Sequence, residues 1–248
     1  MENLILIETS TELCSTAIAS DGKIISYRES DTPRSHASLT AVFIDEMLKE
    51  TGLMVQDCSA VCVSMGPGSY TGLRVGVSTA KGLCFGAGIP LLAVGTLDTL
   101  VWQGIGMLHS EPETASDSGQ DIRHDIMDGS VPAYIVPMID ARRMEVYTAV
   151  FSSEGKQIAD TEARIIDSGS FAQQLAEGPV LFIGDAADKC SKVITHPNAR
   201  FIQCCPEASA MLIPAMREYK EKRFKDVAYF EPFYLKNFVA TVSRKKLF

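Results

Sequence analysis

The sequence predicts an α/β protein built from one β-β-β-α-β-α unit used twice. Three observations point to it. Short apolar runs such as Leu4-Ile5-Leu6-Ile7 read as strands covered on both faces. Segments with helical start and stop signals alternate with these runs, the pattern of a sheet layered with helices. The opening hairpin pattern then recurs: Glu8 falls on Asp140, 132 residues on, and Asp21-Gly22-Lys23 falls on Glu154-Gly155-Lys156, 133 residues on. Recurrence of a whole supersecondary unit indicates two lobes.

The first run, Met1 to Ile7, has no basic n-region and ends at Glu8, so it reads as a buried strand and not as a signal peptide. Cys14 to Ala19 and Lys23 to Tyr27 follow as strands joined by the turn Asp21-Gly22. Pro33 and Ser35 open a helix to about Lys49, with Gly52 past its end. Ala60 to Met65 is the next strand, and Gly66 to Tyr70 leads into a helix reaching about Ala87. Ile89 to Val94 is a strand, and Thr96 or Asp98 caps a helix to about Leu108.

From His109 to Val131 the chain turns polar, with Ser-Asp-Ser-Gly-Gln and Asp-Gly-Ser and little apolar periodicity. A long mobile surface loop linking two halves is expected there. Beyond it come a strand ending at Ile139-Asp140, strands from Val146 to Phe151 and after Lys156, and a helix from Phe171 to Ala176. Strand Val180 to Ile183, helix Asp185 to Val193, strand Phe201-Ile202 and helix Glu207 to Arg223 complete the second copy. The expected organisation is a lobe over 1–108, a linker over 109–131, and a lobe with C-terminal helix and tail over 132–248. This duplicated unit is the architecture of actin-like (ASKHA, RNase H-like) ATPases and sugar kinases, which hold a nucleotide between the halves.

Composition narrows the function. The 248 residues carry 23 Lys plus Arg against 31 Asp plus Glu, a net charge of −8, which argues against a stand-alone nucleic-acid binder. Apolar content of 46% excludes wholesale disorder. No window approaches the ~18 continuous apolar residues of a membrane span. The 7 cysteines are odd in number, lack a C-x-x-C and sit mostly in apolar runs. They read as buried free thiols in a reducing, cytoplasmic setting.

The sharpest local signal is Gly66-Pro67-Gly68-Ser69-Tyr70-Thr71-Gly72-Leu73-Arg74, between a strand and a helix. Glycines there permit close backbone approach, and the helix N-terminus favours an anion. The spacing is neither a P-loop nor a Rossmann fingerprint, so a tight crossover with Ser69 as N-cap is the alternative. Glu8 and Asp140, at the ends of equivalent strands, are expected to face the interlobe cleft. With Ser10, Gly66 and Gly68 they form either the remnant of a nucleotide site or strand ends held by backbone N–H groups. Arg142-Arg143 concentrates positive charge beside that cleft, available to a phosphate, a partner carboxylate or solvent. His36, His109, His124 and His196 include no pair spaced for a shared metal on one helix, and Ser69 is not in a G-x-S-x-G elbow.

Two helices look made for a partner. At 100° per residue, Ala37, Ala41, Ile44 and Leu48 form one apolar stripe of the first helix, and Leu39, Phe43 and Met47 a second. One stripe serves the core; the second needs a cover, either from the same chain or from another protein. The next helix places Gly72, Gly76, Ala80 and Ala87 along one side, with Gly82, Gly86 and Gly88 close by. Helix glycines cost about 1 kcal/mol each against Ala, so a closely approaching second element is expected.

The nonapeptide, the opening Ile7-Glu8-Thr9-Ser10, the segment Ile139-Asp140-Ala141-Arg142-Arg143-Met144-Glu145-Val146-Tyr147 and the ending Glu231-Pro232-Phe233-Tyr234-Leu235 together resemble the TsaB (YeaZ) family. The resemblance implies an actin-like fold and a non-catalytic scaffold or activator subunit in the synthesis of threonylcarbamoyladenosine in tRNA. It implies pairing with the paralogue TsaD, which holds the active site, and association with the ATPase TsaE. It places the partner interface on the two helices, here at Leu39, Phe43, Met47, Gly72, Gly76 and Ala80. No cofactor of the chain's own is required, though ATP or ADP could sit in the cleft or at the partner interface. Contact with tRNA would come through the complex, with Arg142, Arg143, Lys222, Arg223 and the tail Arg244-Lys245-Lys246 as local positive patches. Exposed helix faces would also allow a homodimer in isolation. The competing readings are an independent actin-like ATPase or kinase, and an M22-type peptidase, for which the chain lacks a ligand set.

Overall fold

The computed structural model describes residues 1–109 and 131–236. The expected polar loop across 110–130 and the tail Arg244-Lys245-Lys246 lie outside the described residues. The N-terminal part runs β1 (Asn3–Glu8), β2 (Cys14–Ser20), β3 (Lys23–Ser30), α1 (His36–Thr51), β4 (Ala60–Ser64), α2 (Tyr70–Ala87), β5 (Leu91–Val94) and α3 (Thr96–His109). The C-terminal part runs β6 (Tyr134–Asp140), β7 (Glu145–Ser152), β8 (Gln157–Ile165), α4 (Ala172–Glu177), β9 (Val180–Gly184), α5 (Ala187–Ser191) and β10 (Ala199–Gln203). A 3-10 turn (Ala208–Met211) and α6 (Leu212–Lys220) follow.

The two sheets have the same order, β3-β2-β1-β4-β5 and β8-β7-β6-β9-β10. In each, the first three strands are antiparallel and the last two join in parallel beside the first. The expected duplication is therefore present strand for strand, and the fold is the duplicated actin-like one. β1 and β6 are the central strands, buried on both faces except at Asp140 and the partly exposed Tyr134.

Helix limits follow local chemistry. Gly52 and Gly88 end α1 and α2 in left-handed conformation (φ 70° and 68°), their N–H groups closing on the carbonyls of Leu48 and Cys84. The helix expected over Asp185 to Val193 is only Ala187–Ser191, and the β-branched run Val193-Ile194-Thr195 follows it. That expected from Glu207 breaks into the 3-10 turn and α6, where Pro214, lacking an N–H, sits in the first turn.

The packing crosses the expected division at 108 and 132. One face of the N-terminal sheet packs on α1 and α2 through Ile44, Met47, Leu48, Val77 and Cys84. Its other face buries Leu4, Leu6, Cys62 and Leu92 against Met211 and Ala215, which come from the far end of the chain. Conversely, Leu97, Leu100 and Val101 of α3 pack on Ile135, Ile139, Leu181 and Ile183 of the second sheet. Each lobe thus lends its last helix to the other, and Arg217 of α6 lies over the ring of Trp102 in α3, 5.5 Å from its centroid. The C-terminal segment then returns along the N-terminal lobe: Lys225 N–H donates to the Leu91 carbonyl (2.8 Å), Lys81 Nζ to the Ala228 carbonyl (2.9 Å), and Phe233 N–H to the Met65 carbonyl (2.7 Å). The sheets need cover on two faces, and local sequence supplies only one.

All seven cysteines are free thiols, five of them buried. Burial pushes Cys58, Cys84 and Cys190 up to about 11 and Cys204 to about 12, so these thiols stay protonated and inert. No helix among the described residues is long and apolar enough to cross a membrane. On the outer side of α2, a Cβ added at Gly82 or Gly86 meets nothing within 4 Å. Gly82→Ala is therefore expected to raise stability by about 1 kcal/mol, read from chemical denaturation of the two proteins.

Candidate functional site

Glu8 ends the central strand β1 and is fully buried. Its Oε1 accepts the Ser10 N–H at 2.7 Å. Burial pushes its carboxyl up to about 7, against the smaller lowering effect of hydrogen bonds from Ser10, Ser64 and Thr9. Near neutral pH much of Glu8 is a neutral acid. It lies inside the N-terminal lobe and not on an open cleft, contrary to the expectation from strand position.

The glycine-rich nonapeptide closes on the turn that follows β1. Ser69 N–H donates to the Ser10 carbonyl (2.6 Å), and Thr9 Oγ1 donates to the Gly72 carbonyl (2.9 Å). A Cβ at Gly68 would stand 2.4 Å from the Ser10 carbonyl oxygen, and one at Gly66 2.8 Å from the Phe233 carbonyl oxygen. Ser69 caps α2, its Oγ accepting the Gly72 N–H at 3.3 Å. Of the two readings of this segment the structure takes the tight crossover. The close approach its glycines permit is to the chain's own backbone. The N–H groups of Ser10 and Ser69 are bonded within the chain and are not free for a phosphate.

Asp140 behaves differently from its counterpart Glu8. It is exposed, and its Oδ1 accepts the Arg142 N–H (2.6 Å) and Lys189 Nζ (2.8 Å). Its own N–H donates to Asp185 Oδ1 at 2.7 Å. Burial pushes Asp185 up to about 6, with the nearby Asp140 and Glu12 charges adding to the rise. Lys189 also donates to the carbonyls of Arg143 and Glu145, pinning the β6–β7 hairpin. Asp185 and Lys189 were not among the expected site residues. Their signal was positional, since Gly184-Asp185 follows β9 as the Met65-Gly66 turn follows β4. Glu8 and Asp140 share no hydrogen-bond partner among the described residues; each ends its own strand in its own network.

The expected partner face is also redrawn. Gly72, Gly76 and Ala80 are buried. A Cβ at Gly72 would stand 2.0 Å from the Thr9 carbonyl oxygen, and one at Gly76 2.3 Å from Thr9 Oγ1. The element that approaches the small-residue side of α2 is thus the turn after β1, and a charged residue at Gly76 would break the fold before it tested an interface. Met47 is likewise core, while Leu39 and Phe43 are half-buried. The inner stripe of α1 is Thr40, Ile44, Met47 and Leu48, which straddles both expected stripes.

The outward faces carry other residues. On α1 they are Ala37, Ser38, Ala41, Val42 and Asp45, with Val42 46% exposed. On α2 they are Thr71, Arg74, Ser78, Gly82, Phe85 and Gly86, and Phe85 is 85% exposed. A pocket of about 470 Å³ between the helices is lined by Ala37, Tyr70, Thr71, Arg74, Val75, Ser78 and Thr79. Sequence spacing could have found this face, since Thr71, Ser78, Gly82 and Gly86 lie across the helix from the inward Leu73, Val77, Ala80 and Cys84, with Phe85 at the edge of the outward face.

The remaining expected residues are placed as follows. Arg142 and Arg143 are exposed at the β6–β7 hairpin. Arg223 pairs with Glu218 (Nε to Oε2, 2.9 Å) and with Glu221, so its charge is spent locally, while Lys222 is exposed. His36, at the start of α1, meets the Thr11 carbonyl through Nε2 at 3.0 Å.

Fold and site together define a two-lobed actin-like α/β protein whose N-terminal crossover is closed on itself and whose two outer helices each present an exposed face. A family model described as TsaD, tRNA N6-adenosine threonylcarbamoyltransferase, matches residues 29–116. The tRNA threonylcarbamoyladenosine biosynthesis protein TsaB of Haemophilus influenzae is 30% identical over 266 residues, covering 100% of this chain and 98% of that protein. The protein of the same name from Escherichia coli is 28% identical, with 96% of each chain covered. Among solved structures, YeaZ from Pseudomonas aeruginosa superposes with a TM-score of 0.74 at 22% identity, over 95% of this chain and 100% of that one. The chain belongs to the TsaB family.

Proposed function

We propose that the chain is a non-catalytic subunit in tRNA threonylcarbamoyladenosine biosynthesis, docking on a TsaD-type enzyme through the outward faces of α1 and α2. The observation that carries this is Phe85, 85% exposed between Gly82 and Gly86, where added atoms would meet only open space. An aromatic side chain flanked by bare backbone is the make-up of an interface anchor. The match to the transferase family spans residues 29–116, which include both helices. The enzyme therefore offers a comparable helix pair, and like faces meet naturally about an approximate two-fold axis. A second copy of this chain would use the same face in isolation. The closed crossover at Ser10 and Ser69 supports a subunit without turnover of its own. In this reading a TsaE-type ATPase completes the assembly, tRNA is reached through the complex, and the work is done in the cytoplasm.

Reconstitution with the TsaD-type enzyme, the TsaE-type ATPase and tRNA from one organism tests the role. Modified adenosine is expected only when this chain is present, and the chain alone should show no ATP hydrolysis that Glu8→Ala abolishes. Modification at full rate without the chain would exclude the role.

A further inference from the structure

The β6–β7 hairpin carries a feature that docking through α1 and α2 does not use. Arg142 and Arg143 both lie in the left-handed region, with φ of 73° and 52°. Two successive non-glycine residues there are uncommon and strained. Both side chains are exposed, and neither guanidinium has an ion-pair partner among the described residues. Several other arginines are occupied: Arg28, Arg164 and Arg223 pair with carboxylates, and Arg74 and Arg217 lie over Tyr70 and Trp102. The carboxylates nearest the hairpin are already matched, Asp140 by Lys189 and Glu145 by Lys236. The hairpin thus presents two adjacent guanidiniums without an ion pair among the described residues, on a chain whose net charge is −8.

The arginines border a pocket of about 500 Å³ whose other walls are Ala141, Met144, Glu145 and Ile165. Ile165 is 72% exposed. Guanidinium forks bind phosphate oxygens two at a time, and an apolar wall with a methionine suits the face of a base. We propose that the β6–β7 hairpin is a nucleotide-phosphate site, with Arg142 and Arg143 on the phosphate and Met144 and Ile165 against the base. The nucleotide is either free or part of an RNA strand. The site lies on the C-terminal sheet, and its test uses the chain without a partner, so its failure is separable from failure of the docking reading.

The test uses R142N/R143N, because asparagine tolerates left-handed backbone and deletes the charge without disturbing the turn. Binding of a labelled tRNA transcript is followed by anisotropy at several salt concentrations, and binding of ATP by calorimetry. In whichever arm the wild type binds, R142N/R143N should bind at least tenfold more weakly. In the RNA arm the slope of log affinity against log salt should also fall by about two. R142K/R143K keeps the charge and should restore that slope. Binding in the ATP arm alone identifies a free nucleotide, and binding in the RNA arm identifies a strand. Failure of the wild type to bind either probe, or equal binding by R142N/R143N with an unchanged melting temperature, overturns the proposal.

Discussion

Gly72→Ala is expected to destabilise the protein by about 3 kcal/mol, a fall in melting temperature of about 6–12 °C for a chain of this size. The added Cβ would stand 2.0 Å from the Thr9 carbonyl oxygen, which is backbone of the turn leaving the central strand. Thr9 cannot rotate out of the way, because its Oγ1 bonds the Gly72 carbonyl and its neighbour Ser10 holds both Glu8 and Ser69. Helix and turn must therefore separate, against the roughly 1 kcal/mol that Ala gains in a helix. Gly76→Ala meets Thr9 Oγ1 at 2.3 Å and should cost less, since a side chain can shift where backbone cannot, at the loss of its bond to the Gly72 carbonyl. Thermal melts of both variants beside Gly82→Ala decide the matter. Equal melting temperatures for Gly72→Ala and the wild type would mean that the crossover is not closed as described.

Glu8→Gln is expected to remove a pH dependence worth about 3 kcal/mol. The folded carboxyl is raised to about 7 from an ordinary 4.5, so the folded state holds the proton more tightly than the unfolded chain. Its contribution is full below about pH 4.5 and shrinks as pH rises, with little left above about pH 8. The wild type should therefore lose about 3 kcal/mol relative to Glu8→Gln between pH 4.5 and 8. Asp185, raised to about 6, titrates in the same direction, but it is common to both proteins and cancels in their difference. Denaturant unfolding of the pair at pH 4.5, 6 and 8 gives that difference. Parallel stability curves would show Glu8 to be ionised or solvated.

Much of this architecture was legible in the residues. Apolar runs located the central strands, and Gly52 and Gly88 located two helix ends, because both signals are local. The recurrence of Glu8 at Asp140 located the second lobe. The exchange of α3 and α6 between sheets was not legible, since it pairs residues such as Leu6 and Ala215 that lie more than 200 positions apart. The faces of α1 were also misassigned. Ala37 and Ala41 suit core or surface equally, while Thr40 is buried because its hydroxyl bonds the His36 carbonyl within the helix. The glycines of α2 correctly announced a close approach. What approaches is the turn after β1, which sequence could not name, and the side of α2 left exposed is the one that Gly82 and Gly86 lie on and Phe85 borders.

The most direct measurement of the central claim is the affinity of Phe85→Glu for the TsaD-type enzyme. Phe85 is exposed and makes no core contact, so the substitution should leave the melting temperature of the free chain unchanged. A carboxylate at the centre of a helix–helix interface should weaken docking by about a hundredfold or more, with Val42→Glu weakening it less. The account predicts that loss of affinity, by calorimetry, in a fully folded variant. Wild-type affinity in Phe85→Glu would contradict it and place the partner elsewhere on the molecule.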